Sequence, residues 1–239
     1  GVQLGEWALL LDIHGSTMRQ ECLRYSVRDA LDYVLEGLRE EGLEPFPKGT
    51  SEDTRRRTLR GSMNASLRRY DDAEKQRIYE LAIFPDDTPI PQMVVVKLWM
   101  ATANMTQRQC RQLLRRVAGH FCFFLADHEA EAPVVRFHDK IREYLGGQLT
   151  DAPSIHRQFL ASYGVARWSD LPQDEPYLWR TIAYHLLGAG QKDTLRGLIF
   201  DYAFLDAKLH ATDPNAIIAD CDLFPDDTVV TLVTEALVL

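Results

Sequence analysis

The stretch Phe121–Leu145, FCFFLADHEAEAPVVRFHDKIREYL, decides the fold. Two runs rich in aromatic and β-branched residues, FCFFLAD and VVRFHD, flank the polar linker HEAEAP, which is the pattern of a β-hairpin. The run KIREYL then returns to helical spacing, with Ile141, Tyr144, Leu145 and Leu149 on one face. At the junction, Asp139 fits the N-cap of that helix, where its carboxylate would satisfy free N–H groups of the first turn. His138 ends the second strand, beside the positive end of the same helix. Two readings are open for it: a structural histidine with satisfied nitrogens, or a donor to an anion received at the helix end.

Upstream, three helical patterns lead into the hairpin. Asp71 with Glu74 is a capping box before Ile78, Leu81 and Ala82, and Pro85 stops that helix. PDDTPIP is a tight connector, and Pro91 opens the helix that carries VVVKLWM. Thr106 with Gln109 is a second capping box, before a face of Cys110, Leu113, Leu114, Val117 and Ala118. Helix, helix, helix, hairpin is the order of a winged helix, with the hairpin as its wing. Leu59, Met63, Leu67 and Tyr70 give one more helix before it.

On the N-terminal side, Leu4–Ile13 is apolar nearly all round and reads as a buried helix. Ser26 with Asp29 caps a helix whose face is Val27, Ala30, Leu31, Val34, Leu35 and Leu38, and Gly42 stops it. LEPFPKGTSED is a loop rich in breakers and a domain boundary. After Gly146–Gly147 the strands disappear. Helices are predicted over His156–Tyr163, Tyr177–Leu187, Thr194–Phe200 and Phe204–His210, with an Asp213-Pro214 start for the next one. The tetrapeptide FPDD occurs at Phe84–Asp87 and Phe224–Asp227, but the flanking sequences differ, so it is not a repeat. The chain starts almost inside its first helix and ends on TVVTLVTEALVL without a stop signal. Both ends look like cuts within a larger protein.

The chain's 239 residues leave room for one large domain or two to three small ones. At 46% hydrophobic and 26% charged, the composition is that of an ordinary soluble protein. No apolar run is long enough to cross a membrane, and no signal peptide is legible. Cys22, Cys110, Cys122 and Cys221 are far apart, which suits free thiols in a reduced, cytoplasmic setting. A formal charge of −8 opposes dedicated nucleic-acid binding. Two arginine clusters qualify that: Arg55, Arg56, Arg57, Arg60, Arg68 and Arg69, then Arg108, Arg111, Arg115 and Arg116. In a DNA-binding winged helix the second cluster would lie in the major groove; otherwise it is a solvated or domain-facing surface. No phosphate-cradling loop, dinucleotide fingerprint, zinc-protease helix or nucleophile elbow is present.

In order, GEWALLL, SMNASLRRY, ELAIFPDDTPIP, LW, RFHDKIREYL, HRQFLASYG, YLWRTIAYHLLGAG and LIFDYAFLDAKLHATD resemble the part downstream of the nucleotide-binding fold in NB-ARC proteins. These form the STAND class of signalling ATPases that includes apoptotic protease-activating factor. The resemblance implies a mostly α chain around a central winged helix with a small β-hairpin wing. Residues 1–45 would end a first helical domain, 46–150 would be the winged-helix domain, and 151–239 a second helical domain. The family's Met-His-Asp motif, whose histidine contacts the β-phosphate of ADP, is matched by Phe137-His138-Asp139, with Phe for Met. Its Gly-Leu-Pro-Leu motif, which lines the adenine pocket, is matched by Gly5-Glu6-Trp7-Ala8-Leu9, with Ala8 where proline would fall. The implied nucleotide-binding set is therefore His138, Asp139, Trp7 and Ala8, completed by an upstream nucleotide-binding domain. The resemblance further implies ADP or ATP bound by the parent protein rather than by this chain alone. It also implies WD repeats downstream and homo-oligomerisation on activation, with no catalysis by these residues. The rivals are a DNA-binding winged-helix regulator and a helical scaffold for protein partners.

Overall fold

The computed structural model describes residues 13, 15–19, 21–40, 52–86, 88–121, 124–126, 134–136 and 139–238. Most of the Leu4–Ile13 stretch lies outside them; Ile13 itself is helical and fully buried. The helix α1 (Val27–Glu40) packs on α2 (Glu52–Leu67). Ser26 caps α1 as the sequence predicts: its hydroxyl accepts the Asp29 N–H at 3.2 Å and donates to the Asp29 carboxylate at 2.7 Å.

A winged-helix unit follows. It runs α3 (Asp72–Glu80), a single 3₁₀ turn (Leu81–Ile83), β1 (Ile90–Pro91), α4 (Gln92–Ala103), α5 (Gln107–Phe121), β2 (Phe124–Ala126), β3 (Val134–Arg136) and α6 (Asp139–Gly146). Both predicted capping boxes form. Asp71 accepts the Glu74 N–H at 2.8 Å, with the reciprocal bond also present. Thr106 donates its N–H to Gln109 at 2.8 Å, and Gln109 returns its own to the Thr106 hydroxyl at 3.4 Å. Between α4 and α5 the chain turns on Asn104, in the left-handed region at φ 53°, a conformation asparagine tolerates better than most residues.

The hairpin pairs β2 with β3 antiparallel, Leu125 opposite Val135. A third strand joins it: Ile90 sits opposite Val135, giving the order β1-β3-β2. The connector PDDTPIP is therefore more than a connector. Its last two residues are too few to show a strand period. Pro91 is tolerated because β1 is an edge strand, where one missing N–H need not break a ladder. The core of the unit is Ile78, Leu81, Val94, Leu98, Trp99, Leu113, Leu114, Val117 and Val135. The Trp99 indole N–H donates to the Arg77 carbonyl at 2.8 Å, so even this large side chain is satisfied.

The remaining helices are α7 (Ala152–Ala161), a 3₁₀ turn (Trp168–Asp170), α8 (Pro176–Gly188), α9 (Lys192–Ile199), α10 (Tyr202–Ala211), α11 (Pro214–Cys221) and α12 (Thr228–Val238). From α8 onward each helix packs on the one before it, and α10 also closes over the 3₁₀ turn. Asp151, Asp201 and Asp213 cap α7, α10 and α11 through N–H groups of the first turn. Gly190, at φ 74°, ends α8; its N–H bonds the Leu187 carbonyl and that of Gln191 bonds Leu186, a Schellman stop. Between α10 and α11, Lys208 and Asp220 form a buried ion pair. Among the described residues no helix is long and apolar enough to cross a membrane.

The two units share a core. Helix α4 is apolar nearly all round because it is covered twice, by α5 on one side and α7 on the other. That is why VVVKLWM shows no clean amphipathic stripe.

Candidate functional site

Helix α6 stands where the winged helix meets the second helical unit. It starts at Asp139, whose carboxylate accepts the Lys140 N–H at 2.8 Å and stays exposed. One turn on, Arg142 reaches outward with all three guanidinium nitrogens. Its Nε donates to the Phe84 carbonyl at 2.7 Å, Nη1 to Asp86 at 3.0 Å, and Nη2 to the Tyr184 hydroxyl on α8 at 2.9 Å. One side chain thus ties α6 to the connector after α3 and to the next unit. Lys97 of α4 makes a second tie: it pairs with Glu175 and lies 4.1 Å from the centre of the Tyr163 ring.

Beneath Arg142 the Phe84 ring is fully buried. It meets Phe159, Tyr177 and His185 edge-on, with ring centres 5.8, 6.0 and 6.1 Å away. His185 uses both ring nitrogens: Nδ1 lies 3.0 Å from Nδ1 of His156, and Nε2 lies 3.0 Å from the Tyr177 hydroxyl. A single proton can sit between the two facing Nδ1 atoms, so the two rings cannot both be cations, and burial disfavours a charge on either one. Burial, and then the charge of Arg142, push His156 down to about 4. Burial, and then His156, hold His185 well below the ordinary histidine range. The other face of the His156 ring lies against Gly188, where even a Cβ would overlap it. The histidines are buried, and the ionised groups beside them, Arg142 with Asp86 and Lys97 with Glu175, are already paired, so among the described residues the arrangement is a packed joint.

Of the sequence-predicted site residues, Asp139 is placed at the first residue of α6; His138, Trp7 and Ala8 lie outside the described residues. The sequence reading missed Arg142, His156 and His185. FPDD carried a partial signal. In both copies the phenylalanine is buried and an aspartate grips an arginine: Asp86 holds Arg142, and Asp227 holds Arg196 at 2.6 Å. The acid differs between copies, consistent with no repeat.

The arginines of α5 are exposed, and two of them have partners within the unit. Arg116 holds Glu74 through both nitrogens at 2.6 and 3.1 Å and stacks over Tyr70, while Arg111 lies 3.4 Å from the Met93 sulfur. Arg108 and Arg115 complete the exposed face.

Residues 153–225 match the family model described as the APAF-1 helical domain. This segment is similar to the APAF-1 helical domain. The match spans α7 to α11 almost entire, so the second helical unit is a helical regulatory domain of the kind found in APAF-1-like proteins. The Phe84 and Arg142 joint is where the winged helix grips that APAF-1-type domain. No curated protein matches the chain.

Proposed function

We propose that the chain is the regulatory winged-helix and helical part of a nucleotide-gated signalling protein of the APAF-1 type. It would hold a closed, ADP-bound state and release it for oligomerisation when ATP replaces ADP. One observation carries the reading: an APAF-1 helical-domain match that follows directly on a unit of three helices and a hairpin, the order expected of the winged helix, to which the structure adds the short strand β1. On this reading the domains divide near residues 45 and 150. An upstream nucleotide-binding domain supplies the phosphate loop, and WD repeats follow. The setting is cytoplasmic, and the chain alone hydrolyses no ATP. His138 would donate to the β-phosphate, with Asp139 at the same helix start and Trp7 and Ala8 against the base. The joint supports the mechanism physically. A ligand that binds one state better shifts the equilibrium toward it, and Arg142 links the helix that starts at Asp139 to the matched domain one turn later.

The test uses the parent protein with its nucleotide-binding domain. His138→Ala should weaken ADP by about 10- to 150-fold, the value of one hydrogen bond to a charged phosphate, and should raise the oligomeric fraction. Asp139→Ala should instead loosen the start of α6 by about 1 kcal/mol. Calorimetry that finds unchanged ADP affinity in His138→Ala alongside a lowered melting temperature makes the histidine structural and removes the nucleotide assignment.

A further inference from the structure

Helix α1 carries more apolar surface than its neighbour α2 covers. Its sequence writes one apolar face that includes Val27, Ala30, Leu31, Val34 and Leu35. In the structure Ala30 and Val34 are buried, on the side where α1 packs on α2. The flank of that face stays open: Val27 is 67% exposed and Leu31 42%, and Leu35 is partly exposed. Four-residue spacing sets these three in one row, about 6 Å of helix axis between successive side chains. Leu23 and Tyr25, both exposed, extend the apolar surface beyond the start of α1. A contiguous apolar row of this kind on a surface marks a contact site, where single exposed residues would not. One residue further on from Val27 and from Leu31 stand Arg28 and Asp32. Both are exposed, and neither has an ion-pair partner among the described residues.

The row is symmetric about Leu31, with Val27 one turn before it and Leu35 one turn after. A twofold axis at Leu31 therefore lays Val27 of one copy on Leu35 of the other, and Leu31 on Leu31, in an antiparallel pair. The same axis orders the flanking charges. At about 1.5 Å of rise per residue, Arg28 comes to lie about 3 Å along the axis from Asp32 of the second copy, and this happens twice. The four side chains line up as Arg28, Asp32 of the second copy, Asp32, Arg28 of the second copy. Each carboxylate then has an arginine beside it, and the quartet is neutral. Parallel pairing would instead set Arg28 against Arg28 and Asp32 against Asp32.

We propose that α1 is an isologous docking surface, on which a second copy of this chain binds antiparallel through Val27, Leu31 and Leu35, with Arg28 of each copy beside Asp32 of the other. The self-complementarity of both rows is the argument for a second copy over an unrelated partner. The contact closes at two copies and needs no nucleotide, which sets it apart from the oligomer proposed above. One pair of helices buries less than the roughly 1,200 Å² of a stable interface, so the dissociation constant is on the order of 10⁻⁴ M.

Sedimentation equilibrium of the full chain, from about 10 μM to about 1 mM, brackets that value and tests the proposal. The native chain should pass from monomer to dimer and stop there. Leu31→Asp should weaken the dimer by about tenfold or more. Its side chain is already exposed, so the monomer should keep its melting temperature. Arg28→Glu gives a quartet of four acids and Asp32→Arg one of four bases, so each variant alone should self-associate more weakly than the native chain. An equimolar mixture of the two should recover a one-to-one dimer at least as tight as the native one. A native chain that stays monomeric at about 1 mM leaves the row to another domain of the parent protein and overturns the proposal. Growth beyond two copies, a dimer untouched by folded Leu31→Asp, or a mixture of the charge variants that stays monomeric overturns it as well.

Discussion

Acid should loosen the joint between the winged helix and the APAF-1-type domain, and His156 sets much of the size of the effect. Its imidazole titrates near about 4 in the fold, lowered first by burial and then by Arg142, against about 6.5 in an unfolded chain. Between those values the unfolded chain takes up a proton that the folded one refuses. The contribution of His156 is therefore intact above about pH 6.5 and is lost as pH falls toward about 4, at roughly 1.4 kcal/mol per pH unit. The whole window amounts to about 3 kcal/mol, of which roughly 2.5 is gone by about pH 4.5. His185 acts in the same direction. Glu80 acts against them: burial raises its carboxyl to about 7, over the opposing pull of Thr102 and Arg77, so its protonation favours the fold as pH drops. A comparison of native protein with His156→Gln cancels Glu80 and the other carboxylates. Urea unfolding near neutrality and near pH 4.5 should show the native chain losing about 2.5 kcal/mol more than the variant. Equal losses would mean that burial and Arg142 do not keep the His156 ring neutral in the fold, and the account of the joint would fall with that.

Two further substitutions probe the interior. Gly188→Ala removes the usual glycine penalty in a helix, worth about 1 kcal/mol, yet its Cβ would overlap the His156 ring; a net loss of roughly 1–3 kcal/mol in urea unfolding is expected, and a gain would show that the ring moves aside freely. Lys208→Ala leaves Asp220 buried without its partner and should lower stability by about 3–5 kcal/mol, whereas Lys208→Met with Asp220→Leu should come close to neutral; a thermal melt that ranks the double variant below the single one refutes this.

Much of the fold was legible because it is written locally. Ser26, Asp71 and Thr106 each announce a helix start by a second polar residue three positions on, and each forms the expected bonds. The wing was legible from two dense β-rich runs. The third strand was not, since Ile90–Pro91 is too short for any periodicity and contains proline. Helix α7 starts at Ala152, before the predicted His156, because Asp151 and Pro153 build its first turn while the apolar pattern begins later. The candidate site was legible only where it is local. Asp139 announces itself beside an amphipathic run, but the partners of Arg142 lie 58, 56 and 42 residues away along the chain. Likewise, His156 and His185 sit on helices whose apolar spacing would look the same with any mid-sized side chain there. Pairings of that separation come from how the units pack, which no window of sequence contains.

The joint also explains why so polar a residue as Arg142 can sit between two hydrophobic units. Its guanidinium is only partly exposed, and each nitrogen has an oxygen to bond, so the charge keeps its hydrogen bonds without full solvation. The three acceptors belong to three different kinds of support: a backbone carbonyl in the connector, a carboxylate at the surface, and a phenol on α8. A small rotation of α6 cannot keep all three, since the fork is planar and fixed. With Phe84 wedged among Phe159, Tyr177 and His185 directly below, the winged helix and the matched helical domain resist sliding past one another at this point. A displacement starting at Asp139 is then passed on to the helical domain as a movement of the whole block, because bending at Arg142 would break charged bonds that water only partly replaces.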